Sequence, residues 1–99
     1  MKKIKTRIFD TAEFLSSEED MAAYLEEALS EGNPSLVVQA LGAIAKARGM
    51  AKLAKDTGLR RESLYKALSP EGNPEFNTVL KVVNALGIRL HAETLHPIA

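Results

Sequence analysis

The residues of this chain best suited to recognise another molecule stand close together between positions 60 and 66. We call the following residues the recognition cluster: Arg60, Arg61, Glu62, Ser63, Tyr65 and Lys66. An arginine donates two hydrogen bonds to guanine O6 and N7, and a glutamate accepts one from cytosine N4, so Arg61 and Glu62 have the chemistry to read base edges. Lys52 and Lys55, a few residues upstream, suit phosphates, which position a protein on DNA without reading its sequence. The cluster therefore predicts binding to double-stranded DNA.

The sequence around the recognition cluster predicts a helix-turn-helix at residues 50–68. Its two short helices, residues 50–57 and 61–68, are hinged at Gly58, because a short turn between steeply crossing helices needs one residue with positive φ. The apolar residues that we expect to lock these helices together are Leu53, Ala54, Leu59, Leu64 and Leu68. A helical hairpin with a solvated basic face would have the same spacing, and the distribution of charge decides between the two interpretations.

The charges are segregated along the chain, although its 13 basic and 13 acidic residues give a net charge of zero. Residues 1–7 carry four bases and no acid, and residues 8–45 carry eight acids and no base. Residues 46–66 carry seven bases and two acids, a local charge of +5 that coincides with the helix-turn-helix. A basic block favours a polyanion and an acidic block favours a cationic partner. This coincidence favours DNA binding over a merely solvated hairpin.

The chain of 99 residues is expected to form a single domain. Helix-capping residues predict two helices in its front half. Ser17 and Asp20 resemble a capping box, so a helix is expected to begin there and to end at Gly32. Asn33 and Pro34 suit the cap and the first position of a second helix, which Gly49 would close. Residues 1–16, ahead of the first helix, form an N-terminal arm.

The segments after the helix-turn-helix predict a loop, a fifth helix and a strand. Two prolines and a glycine place residues 69–74 in a loop, and Asn77 is expected to cap a helix at residues 78–86. Residues 88–95 then alternate with the period of a β-strand. A lone strand must find a partner, either residues 5–9 or the same strand of a second copy across a two-fold axis. The residues expected at that homodimer interface are Ile88, Leu90, Ala92 and Leu95.

Several classes of protein are disfavoured. The chain has no cysteine, so neither disulfides nor thiolate zinc sites are possible. His91 and His96 lack an acidic ligand cluster, and no phosphate-binding loop or nucleophile motif is present, so we expect no metal, no cofactor and no enzymatic activity. The N-terminus is basic without an apolar run behind it, and no segment has membrane-spanning length, so a soluble cytoplasmic protein is expected.

The motifs of the chain resemble known families. The stretch GMAKLAKDTGLRRESLYKALS looks like the helix-turn-helix of the Xre/Cro-like family. The continuation PEGNPEFNTVLKVVNALGIRL and the front half, FDTAEFLSSEEDMAAYLEEALSEGNPSLVVQALGAIAKARGM, resemble the HigA-like antitoxins of addiction modules. The narrowest motif is the run at residues 67–74. The resemblance implies a mainly α fold with a five-helix Xre/Cro-like helix-turn-helix domain, and the C-terminal strand predicted above, with residues 5–9 or a second copy across a dimer as its partner, would follow it.

The resemblance also implies function. It implies an antitoxin of a type II toxin-antitoxin module that neutralises a small basic RelE/HigB-like toxin encoded adjacently, and a dimeric repressor that binds operator DNA ahead of both genes. By matching positions, the residues expected to read bases are Arg61, Glu62, Tyr65 and Lys66, and Arg60 and Ser63 are expected near the DNA backbone.

Two positions depart from the family pattern. Met50 replaces a frequent glutamine that supports a phosphate contact, and Arg60 replaces a capping serine or threonine, which costs typically about 1 kcal/mol.

The acidic front of the chain fits a basic toxin, because electrostatic complementarity sets association rate and partner choice. We expect the toxin to contact residues 1–31. The expected anchors there are Phe9, Phe14, Leu15 and Tyr24. Two alternatives stay open: a free-standing, phage-like Xre repressor without a toxin, and a protein-interaction module that no longer binds DNA.

Overall fold

A computed structural model of the chain describes residues 15–95, and within them the protein folds into five α-helices. The helices are α1 (Glu18–Glu31), α2 (Pro34–Arg48), α3 (Met50–Thr57), α4 (Arg61–Ala67) and α5 (Phe76–Ala85). The predicted mainly α fold with five helices is confirmed for this part of the chain. The predicted arm lies almost wholly outside the described residues, as do Phe9, Phe14 and His96. No helix in the described range is both long and apolar enough to cross a membrane.

The boundaries of α1 and α2 follow from the predicted caps. The Ser17 hydroxyl accepts a hydrogen bond from the Asp20 amide at 3.1 Å, and Gly32 ends α1 in the left-handed conformation with φ of 71°. The Asn33 side chain accepts from the Ser35 amide at 2.9 Å, and Pro34 occupies the first turn of α2. Both helix starts thus satisfy backbone donors that would otherwise lack partners.

A single apolar core joins all five helices. Fourteen hydrophobic residues are buried in the described part of the chain, and no polar or charged residue is buried with them. The side chains with almost no exposure are Leu15, Leu41, Ile44, Leu53, Leu64, Leu86, Val82 and Val83. Burying one such side chain contributes about 1.5–3 kcal/mol relative to leaving it in water. The core, rather than local helix propensity, therefore holds the short helices α3 and α4 in place.

Arg48 at the end of α2 connects three helix ends. Its Nη2 atom donates to the Leu86 carbonyl oxygen, which follows α5, at 2.9 Å, and lies 3.4 Å from Glu18 Oε2 in the first turn of α1. The neighbouring Gly87 has φ of 81°, and a β-carbon there would approach Glu18 Oε2 to 2.6 Å. Arg48 satisfies a carbonyl that α5 itself leaves open. From the sequence, Arg48 was predicted only as one of the seven bases at residues 46–66.

The start of α5 corrects the prediction that Asn77 caps a helix at residues 78–86. The helix begins at Phe76, its cap residue is Glu75, and no side-chain cap hydrogen bond forms there. The Glu75 carbonyl already accepts from the Val79 amide at 3.0 Å, so Asn77 lies within the first turn and is exposed. Val79 and Val83, four residues apart on α5, both pack into the core.

The predicted strand at residues 88–95 is wrong for the single chain, since no strand forms within the described residues. A strand is defined by its hydrogen-bonded partner, and among residues 15–95 the Ile88 amide donates to the Val83 carbonyl at 3.1 Å while no backbone bond involves residues 89–95. The alternation itself persists in residues 88–91. Ile88 and Leu90 pack against the core, whereas Arg89 and His91 are exposed.

We expect Arg48→Met to lower the free energy of unfolding by about 1.5–3 kcal/mol, because the Leu86 carbonyl loses a charged donor. The aliphatic stem of the methionine preserves most of the packing. Glu18→Gln is the matched control, and because the Glu18 side chain is largely exposed its loss should stay below about 1 kcal/mol. Urea denaturation followed by circular dichroism measures both. Equal losses for the two variants would contradict the role of the Leu86 contact.

Candidate nucleic-acid interface

The turn between α3 and α4 is built by two adjacent residues. Gly58 has φ of 78°, as predicted, and its amide donates to the Ala54 carbonyl at 2.9 Å. The Thr57 hydroxyl donates to the Leu53 carbonyl at 2.8 Å and accepts from the Leu59 amide at 3.2 Å. Sequence reasoning missed Thr57, although a threonine before a turn glycine is a known turn-stabilising signal. Together the two residues fix the direction in which the chain enters α4.

The packing that holds α4 confirms the predicted apolar set. Leu53, Leu64 and Leu68 are buried, and Ala54 and Leu59 are partly buried against the same core. Gly42 of α2 contributes in a way that the sequence did not reveal. A β-carbon at Gly42 would lie 2.8 Å from the Leu68 carbonyl oxygen, closer than real β-carbons approach, so only glycine lets α2 pass the end of α4 at this distance.

The recognition cluster presents its side chains to solvent on one side of the fold. All six of its members are exposed, while Leu64 in their midst is turned into the core. Arg60, Arg61, Glu62 and Tyr65 line one shallow depression at the start of α4. Three of the four predicted base-reading residues, Arg61, Glu62 and Tyr65, therefore share one surface with Arg60, whereas Lys66 lies in the last turn of α4 outside the depression.

Lys52 and Lys55 are exposed on α3, beside the turn. The Lys52 Nζ atom lies 3.3 Å from Asp56 Oδ2, an exposed pair four residues apart on one helix face. Such pairs contribute about 0.3–0.5 kcal/mol, so this pair constrains the Lys52 side chain only weakly. The structure also describes the two residues that depart from the family pattern, Met50 and Arg60. Met50 is buried in the core, and Arg60 precedes α4 without a side-chain cap hydrogen bond.

The other predicted site residues fall into three groups. Leu15 is a correction, because it is buried in the core just ahead of α1 and does not present a surface anchor. Tyr24 is half-buried on α1, whereas all six carboxylates of α1 are exposed.

The residues expected at a dimer interface differ in burial. Ile88 and Leu90 pack on the core, whereas Ala92 and Leu95 are exposed. Within residues 15–95 no three histidine or acidic side chains gather as metal ligands would.

Comparison with known proteins gives two matches. A family described as "Probable addiction module antidote protein" matches residues 5–94. An uncharacterised protein of Haemophilus influenzae is 52% identical over 85 residues, which cover 86% of this chain and 88% of that relative. No solved structure matches the chain.

Arg60 allows a test of how α4 is held. We expect Arg60→Ser to raise the free energy of unfolding by about 0.5–2 kcal/mol, because a serine hydroxyl at this position accepts from a first-turn amide that now lacks a side-chain partner. Arg60→Ala is the control and should change stability by less than about 0.5 kcal/mol. Thermal and urea denaturation measure both variants. A serine variant no more stable than the alanine variant would count against this view of the helix start.

Proposed function

The chain belongs to the family of probable addiction module antidote proteins, and from this premise we propose that it is the antitoxin of a type II toxin-antitoxin module that neutralises a RelE/HigB-like toxin and represses its own operon. The match over residues 5–94 carries the proposal, because it spans both the acidic front and the helix-turn-helix. An antidote family implies a toxin as partner. Under this proposal the toxin is a small basic protein encoded beside this gene, and the antitoxin acts in the cytoplasm.

The toxin is proposed to meet the front of the chain, residues 1–31, with Phe9, Phe14 and Tyr24 as anchors. Support comes from α1, whose charged residues are six exposed carboxylates with no base among them. A cationic toxin would be drawn to this helix by long-range attraction, which raises the association rate and disfavours acidic competitors. Leu15 acts indirectly, by closing the core beneath α1.

Co-expression in a bacterial host tests the antitoxin role. The protein encoded by the neighbouring reading frame should arrest growth when expressed alone, and this chain should restore growth. An unrelated helix-turn-helix repressor of similar size is the control and should not. Growth arrest that persists in the presence of this chain, with both proteins detectable by immunoblot, would refute the proposal.

Operator binding is proposed for the recognition cluster, with Lys52 and Lys55 on phosphates. Support comes from the exposure of all eight side chains and from the hinge at Gly58, which sets α4 with its first turn outward. Arg61, Glu62, Tyr65 and Lys66 read bases under this proposal, and Arg60 and Ser63 lie near the backbone. A dimer that makes several phosphate contacts loses affinity steeply as salt rises.

One arginine substitution and one lysine substitution distinguish base reading from phosphate contact. We expect Arg61→Ala to cost about 1–3 kcal/mol and to relax specificity at one base pair of each half-site. Lys52→Ala should weaken all sequences alike and reduce the slope of log affinity against log salt by about one per protomer. Gel-shift titrations on the DNA upstream of the gene measure both effects. Lys81→Ala, an exposed lysine of α5, is the control and should leave affinity and slope unchanged.

Dimerisation is proposed to use residues 88–95, through strand pairing with the same segment of a second copy. Support comes from the unpaired backbone of residues 89–95 within the described chain and from Leu95, whose side chain is 89% exposed. Ile88 and Leu90 then support the strand from the core side.

The double variant Ala92→Asp, Leu95→Asp tests this interface, because both side chains are exposed and their replacement leaves the core intact. We expect a dimer of the wild-type protein to become a monomer in sedimentation velocity, since like charges opposite one another oppose strand pairing. Glu93→Gln is the control and should stay dimeric. A double variant with the wild-type sedimentation coefficient would exclude this interface.

A further inference from the structure

An apolar groove lies on the side of the fold formed by α1, α2 and α5. Its cavity of ≈ 300 Å³ is lined by eleven apolar residues and a single polar one, Asn73. Five large hydrophobic side chains are exposed in residues 15–95, and two of them, Leu29 of α1 and Phe76 of α5, border this groove. Phe76 is 65% exposed, which is costly for a side chain with no partner. The groove has the apolar lining of a site that takes anchoring side chains.

The charge around the groove selects a cationic occupant. The segments that wall it are the second half of α1, the first half of α2, the loop at residues 69–75, α5 and residues 88–91, and they carry five carboxylates against two basic residues, Lys81 and Arg89. Glu26 borders the neighbouring depression, which shares Leu29 with the groove, and Glu75 lies between two lining residues in the chain. An apolar centre with an acidic surround fits an apolar segment flanked by lysine or arginine.

A second copy of this chain fits the groove poorly. In a two-fold dimer the same patch faces itself, so this face would set its carboxylates against those of the partner copy. Like-charge juxtaposition across an interface opposes association. Of the proposed dimer segment at residues 88–95, only Leu90 lines the groove, and the exposed Ala92 and Leu95 lie outside it.

The groove is also separate from the proposed DNA surface. None of its lining residues belongs to α3 or α4, which carry the recognition cluster together with Lys52 and Lys55. Substitutions in the groove and in the cluster should therefore affect different partners.

We propose that this groove seats apolar anchor residues of a cationic protein segment, and that the toxin of the module supplies the segment. The inference rests on the proposed antitoxin function and adds a site to it. The anchoring surface extends beyond residues 1–31 to α2 and α5, with Leu29 and Phe76 at its rim and Val38 within it. The carboxylates of α1 steer the toxin, and the groove holds it, because buried apolar anchors supply most of the energy of such interfaces.

The test measures the affinity of purified full-length variants for the protein encoded by the neighbouring reading frame, by isothermal titration calorimetry at fixed salt. We expect Phe76→Glu and Leu29→Glu each to raise Kd by about tenfold or more, since each places a carboxylate at an apolar contact. Leu36→Glu is the matched control, because Leu36 is exposed on α2 outside the groove, and it should change Kd less than about threefold. Circular dichroism establishes that each variant is folded.

A second measurement uses the separation of the two surfaces. Phe76→Glu should bind the upstream DNA with wild-type affinity, and Arg61→Ala should bind the neighbouring protein with wild-type affinity. If both groove variants bind that protein as the wild type does, the groove inference fails and the antitoxin proposal survives. If the wild type does not bind it, the antitoxin proposal fails and the inference falls with it. A change in the sedimentation coefficient of Phe76→Glu alone would show a second copy in the groove and overturn the inference.

Discussion

The proposed DNA-binding surface depends on the packing of α4, a helix of only seven residues. A helix of this length does not persist in water by itself, because nucleation costs more than a few hydrogen bonds return, and α4 also begins without a side-chain cap. Its stability comes from Leu64 and Leu68, which are buried in the common core, and from Gly42, which lets α2 approach the Leu68 carbonyl. The recognition cluster is therefore held in place by residues that are themselves buried in the core.

Because the helices surround one core, a chain with no net charge can carry an acidic surface and a basic surface on different sides. The exposed carboxylates of α1 and the exposed bases of α3 and α4 lie on different elements around one core. Arg48 stands apart from this division, because it donates to the Leu86 carbonyl and so holds the end of α5 against the end of α2. A basic residue counted from the sequence as part of a DNA-binding block is thus partly a structural one. The groove between α1, α2 and α5 exists only because these helices meet in this way.

The predictions that held and those that failed differ in the range of the interactions involved. Ser17, Gly32, Asn33 and Gly58 act on backbone groups within a few residues, so their roles were predictable from local sequence. Asn77 was misjudged because α5 begins at Phe76 without a side-chain cap, so no capping residue marks its start in the sequence. The single chain forms no strand at residues 88–95, because alternation also arises where a segment such as residues 88–91 lays every second side chain on a core without a ladder partner.

By itself, the sequence determined the ends of α1 and α2, the hinge at Gly58, the composition of the recognition cluster and the segregation of charge, since each depends on neighbouring residues. Only the tertiary structure decided that Leu15 closes the core rather than faces a partner, that Arg48 reaches a carbonyl 38 positions away, and that Leu29 and Phe76 border one groove. Caps and turns are formed by groups within about four residues of one another. Burial and long-range hydrogen bonds depend on which elements pack together, and no local pattern encodes that arrangement.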